Sequence, residues 1–73
     1  MYKNAFAERL QKARKDTGFT QMEVAKELNI PQSTLANYET GNREPSLEIL
    51  GTLAEFYGVS VDWLLSIAPK KKS

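Results

Sequence analysis

Apolar residues recur along this chain at helical intervals, in five short bursts separated by glycine, asparagine, proline or serine. Phe6, Leu10 and Ala13 fall at i, i+4 and i+7, which predicts a first helix from Ala5 to about Asp16. Met1 to Asn4 reads as a loose start, and Gly18 sits where a left-handed cap wants glycine. Thr20 and Glu23 have the spacing of a capping box, in which each side chain satisfies the other residue's backbone amide. Phe19 and Val24 flank that box as a hydrophobic staple. A second helix therefore runs from about Gln21 to Leu28, with Val24, Ala25 and Leu28 inward. Two turns cannot hold alone, because helix nucleation is costly and few bonds follow it.

Asn29 tolerates a left-handed backbone, Ile30 offers a core plug, and Pro31 suits the start of a new helix. The third helix covers Gln32 to Thr40 and is capped by Gly41. About three residues separate it from the second helix, the spacing of a helix-turn-helix. Leu35 and Tyr38 share its inner side, flanked by Thr34 and Glu39. Gln32, Ser33, Ala36, Asn37 and Thr40 share the opposite face, which is polar and carries no charge. After the Asn42–Pro45 loop, Ser46 caps a fourth helix with Leu50, Leu53, Ala54 and Tyr57 as its stripe. Gly51 inside it marks a place of close packing, and Gly58 ends it. Ser60 caps a fifth helix from Val61 to Ile67, which Pro69 stops. The expectation is an all-α bundle of five short helices. Residues 1–68 form one domain, followed by a basic solvated tail, 69–73, with Lys70, Lys71 and Lys72.

Composition narrows the function. A chain of 73 residues builds one core and buries only about 60% of its unfolded surface. Neither cysteine nor histidine occurs, which removes disulfides, thiolate chemistry and the common zinc ligand sets. No apolar run approaches the ~20 residues of a membrane span, so the expected location is the cytoplasm. Dispersed carboxylates and the lack of a glycine-rich phosphate loop argue against an enzyme, and no cofactor, metal or small-molecule ligand is implied. Charge says less. The 10 basic and 9 acidic residues give a net +1, and without the three tail lysines the body has 7 against 9, or −2. That is a weak balance for a nucleic-acid binder, whose affinity draws on neutralised phosphates.

The segments FAERLQKARKDTGFTQMEVAKEL, QSTLANYETG, EPSLEIL and GVSVDWLL, in this order, resemble the Cro and phage-repressor (XRE-type) helix-turn-helix family. The resemblance spans about Phe6 to Leu65 and is specific as a set. It implies a lambda-repressor-like bundle whose second motif helix enters the DNA major groove. By that resemblance Gln32, Ser33 and Asn37 are base-reading residues, their amides and hydroxyl suited to base edges, and Ala36 meets a thymine methyl. Gln21, Thr40, Asn42 and Arg43 would hold the DNA backbone. Arg14 and Glu39 would form an internal tether setting the angle of the third helix. Phe56, Trp63 and Ile67, around helix five, would join two copies on a palindromic operator, as in a repressor of a bacterium or phage.

Two departures from the family pattern matter. Pro31 replaces a hydroxyl residue that often caps the third helix and touches phosphate, and the reading face lacks a basic residue. Both predict that discrimination exceeds raw affinity and that dimerisation compensates. The competing expectation is a protein-interaction module of the same fold, an antitoxin or anti-repressor partner, with DNA secondary.

Overall fold

The computed structural model describes residues 2–66, with side chains from Ala5 onward. Among these residues every regular element is a helix: α1 (Tyr2–Thr17), α2 (Gln21–Leu28), α3 (Gln32–Thr40), α4 (Leu47–Tyr57) and α5 (Val61–Leu64). Each helix contributes one wholly enclosed aliphatic side chain, namely Leu10, Val24, Leu35, Leu53 and Leu64. Helix α1 lies against α3, α4 and α5, while α2 packs on α3 and α5 on α4. The hydrophobic core therefore crosses every element, which is why helices of four to nine residues persist without intrinsic stability.

The helix boundaries follow local chemistry. The Thr20 hydroxyl accepts the Glu23 amide at 3.1 Å, and the Glu23 carboxylate accepts the Thr20 amide at 2.9 Å, completing the capping box. Asn29 takes the left-handed conformation (φ +59°) that ends α2, and the amide of Ile30 reaches back to Ala25 at 3.0 Å. Pro31 precedes α3 with no side-chain cap, leaving its own carbonyl to accept the amides of Thr34 and Leu35. Ser46 and Ser60 accept the amides of Ile49 and Trp63, opening α4 and α5.

Three expectations change. Helix α1 begins at Tyr2 rather than Ala5, because residues 2–4 contain no proline or glycine and their carbonyls extend the same ladder. Helix α5 ends at Leu64 rather than Ile67. The Trp63 carbonyl takes the Ser66 amide at 3.1 Å and Arg9 Nη1 at 3.2 Å. Ser66 then turns left-handed at φ +58°. Ile67 and the lysine tail lie outside the described residues. Gly51 is not a packing notch: it is exposed, and a Cβ there would meet nothing within 4 Å. Phe19 also lies with its ring 5.4 Å from that of Phe56 on α4, and Val24 is wholly enclosed.

Candidate nucleic-acid interface

The outward face of α3 is built by exclusion. Leu35, Tyr38 and Glu39 are buried, so the helix can rotate little without dragging one of them into water. That leaves Gln32, Ser33 and Thr40 exposed, with Ala36 and Asn37 half-buried beside them. All five share one side of the helix by its period. The face carries amide, hydroxyl and methyl groups and no charge, as its composition dictates.

The loop after α3 folds back onto the helix end. Gly41 takes φ +81°, a conformation glycine adopts without penalty. The Asn37 carbonyl then accepts the amides of Asn42 (3.0 Å) and Arg43 (3.3 Å), together with the Thr40 hydroxyl at 3.3 Å. Asn42 and Arg43 are thereby pinned next to the C-terminal half of the outward face, both exposed. Among the described residues Arg43 forms no ion pair, with Glu44 or any other carboxylate. The Thr40 hydroxyl proton is spent inside the helix, so only its oxygen is left to face a partner.

Beneath α3 lies a charged cluster. Arg14 donates from Nε to Glu39 Oε2 at 2.7 Å and from Nη2 to Oε1 at 3.0 Å. The same guanidinium donates from Nη1 to the Phe19 carbonyl at 2.9 Å, bracing the turn between α1 and α2. The Glu39 side chain has no exposure and that of Arg14 only 12%, so the pair is internal. The hydrogen bond to Glu39 raises the Arg14 pKa, keeping the cation charged. Gln21, expected at a phosphate, sends its side-chain amide to Glu39 Oε1 at 2.9 Å. Sequence reasoning had no signal for that bond, since 18 residues separate the partners.

Tyr57 is the other feature the sequence did not disclose. Its hydroxyl is buried and without a hydrogen-bond partner among the described residues. Burial first, and the Glu39 charge second, push its pKa well above the ordinary value, with Arg14 opposing. At the far end, Trp63 is covered by Arg9, whose guanidinium carbon stands 4.8 Å from the ring centre. Phe56 is occupied on two sides, by Phe19 and by an edge-on Tyr57 ring at 5.4 Å.

Comparison with known proteins agrees with this architecture. A helix-turn-helix family model matches residues 10–64. The HTH-type transcriptional regulator ImmR of Bacillus subtilis is 43% identical over 61 residues, covering 84% of this chain and 48% of its own length. The HTH-type transcriptional activator BcrR of Enterococcus faecalis is 33% identical over 61 residues, 84% of this chain and 30% of that protein. The cryptic phage CTXphi transcriptional repressor RstR of Vibrio cholerae is 34% identical over 61 residues, covering 84% and 55%. The chain spans about half or less of the length of these three relatives. With the matched region running from α1 to the end of α5, the chain belongs to the XRE-type helix-turn-helix family of transcriptional regulators.

Proposed function

We propose that this chain is a DNA-binding transcriptional regulator of the bacterial cytoplasm or of a phage, reading duplex DNA with α3. The observation that carries the reading is the exposed amide and hydroxyl face of α3, held by three buried residues beneath it. Gln32 and Asn37 amides suit the donor and acceptor pair of adenine, Ser33 adapts to either groove edge, and Ala36 suits the methyl of thymine. Asn42, Arg43 and Thr40 border that face, where the phosphate backbone would run. Arg14 and Glu39 hold the helix from below.

A repressor acting as a homodimer on a palindromic operator is the form we favour. An α3 face without charge gains little from phosphates, and two linked copies double the weak term. Phe56 and Trp63 are half-buried and partly covered, whereas Leu47 at the start of α4 is 87% exposed and adds apolar surface for such a contact. That exposed leucine equally favours the second reading, an interaction module whose main partner is a protein.

Selection of bound duplexes from a random pool, followed by titration across a salt series, separates the two. The DNA reading expects an enriched motif with two half-sites about one helical turn apart. No enrichment, and no measurable duplex affinity even near ~50 mM salt, would leave the protein-interaction reading standing.

A further inference from the structure

Helix α5 is a single turn of four residues, too short to hold itself, and only Leu64 among them is buried. The Ser60 hydroxyl accepts the Trp63 amide at 3.0 Å and so fixes the start of the turn. Its other end is held from α1. Arg9 donates from Nη1 to the Trp63 carbonyl at 3.2 Å, and its guanidinium carbon stands 4.8 Å from the centre of the same indole. One cation thus holds both the carbonyl and the ring of one residue, by a charge-assisted hydrogen bond and a cation–π contact.

The anchor itself is rigid. Arg9 precedes the wholly enclosed Leu10, and Phe6 and Ala13 are buried on the same helix, so the backbone carrying the guanidinium is fixed. Lys12 and Arg14 of α1 pair with carboxylates, Asp16 and Glu39. Arg9 forms no ion pair among the described residues; its guanidinium is given to Trp63. Beside this clasp Val61, Trp63 and Leu65 are half-buried, so α5 brings apolar side chains to the surface. Their relative positions depend on how the turn is held.

We propose that Arg9 is a positioning residue for self-association, holding α5 and the Trp63 ring in the arrangement that a second copy meets. This rests on the reading of two copies joined around α5. In such a contact each copy brings the same surface. A copy with a loose α5 must be ordered before it docks, so affinity falls with the competent fraction, once for each partner. With about one third of molecules competent, two such factors weaken the dimer roughly tenfold.

Two variants of the full chain test this. Arg9→Met keeps an apolar stem but removes donor and cation, whereas Arg9→Lys keeps the cation without the planar fork. Trp63 is the single tryptophan, so acrylamide quenching of its fluorescence, at a dilution where the chain is monomeric, reads the clasp directly. Sedimentation equilibrium reads the dimer constant. Arg9→Met should quench more readily and dimerise about tenfold more weakly, with Arg9→Lys between it and the wild type. A weaker dimer with unchanged quenching would make Arg9 a direct contact with the second copy and overturn the proposal. Easier quenching with an unchanged dimer constant would overturn it too, as would no change in either measurement. A wild-type chain that stays monomeric removes the dimer reading and this role with it, whereas a wild-type dimer that Arg9→Met leaves intact removes the role alone.

Discussion

Arg14 Nε stands 2.7 Å from Glu39 Oε2, joining α1 to the last turn of α3 across 25 residues of sequence. The pair is bidentate, and water reaches neither the carboxylate nor most of the guanidinium. Such a pair gives modest net stability when both members are present, because both were taken out of water. Its weight appears when one member is lost.

Arg14→Ala should accordingly cost about 3–5 kcal/mol, since Glu39 would remain buried, charged and unpaired. A domain of this length holds only about 4–11 kcal/mol in total, so the loss is close to unfolding. Replacing both members together, Arg14→Met with Glu39→Met, should be much milder than either single change. Urea denaturation of Arg14→Met, Glu39→Met and the double variant gives the cycle. Additive losses would show that the pair is not coupled.

Tyr57 supplies a signature at alkaline pH. Its folded-state pKa lies above the unfolded value near 10, so the folded state holds the proton more tightly. Stability is therefore intact below about pH 10 and falls as pH rises beyond it, by at most about 1.4 kcal/mol per pH unit for one proton. Tyr57→Phe removes this contribution along with an unsatisfied hydroxyl, so it should melt at or above the wild-type temperature near neutrality. The gap between the two proteins should widen above pH 10. Parallel melting curves from pH 8 to 11 would contradict the burial argument.

Gly51 should accept alanine with a gain. It lies inside α4 with open space around its missing Cβ, so nothing opposes the higher helix propensity, about 0.5–1 kcal/mol. The same change at Gly58, which sits at φ +71°, should destabilise despite equally open surroundings. Thermal melts of Gly51→Ala and Gly58→Ala moving in the same direction would refute this contrast.

For the reading face, Gln32→Ala or Asn37→Ala should weaken binding to the selected duplex by about 1–3 kcal/mol and relax base preference at one position. Arg43→Ala should weaken all duplexes alike and reduce the salt slope by about one counterion. Selection repeated with each variant tells these apart. An unchanged motif for both Gln32→Ala and Asn37→Ala would remove the assignment of the face.

How much of this was legible before folding depends on how far apart the interacting residues lie. The helix-turn-helix itself was written locally. Thr20 and Glu23 set the entry of α2 within four residues, Asn29 and Gly41 set the two exits by tolerating positive φ, and the 3.6-residue period sorted Leu35 and Tyr38 from Gln32 and Asn37. These are short-range effects of hydrogen bonding and backbone sterics, and a sequence carries them in full. What tertiary structure decided involved groups brought together from distant positions. Arg9, 54 residues away, donates to the Trp63 carbonyl, a contact that nothing in VDWLLSI itself discloses. Gln21 gives its amide to Glu39, although its place at a helix start suggested a phosphate. Tyr57 buries a hydroxyl that the α4 stripe showed only as one more aromatic ring. Periodicity reports which face is inward. Which polar group waits there is settled only when five helices close on one core and water is excluded.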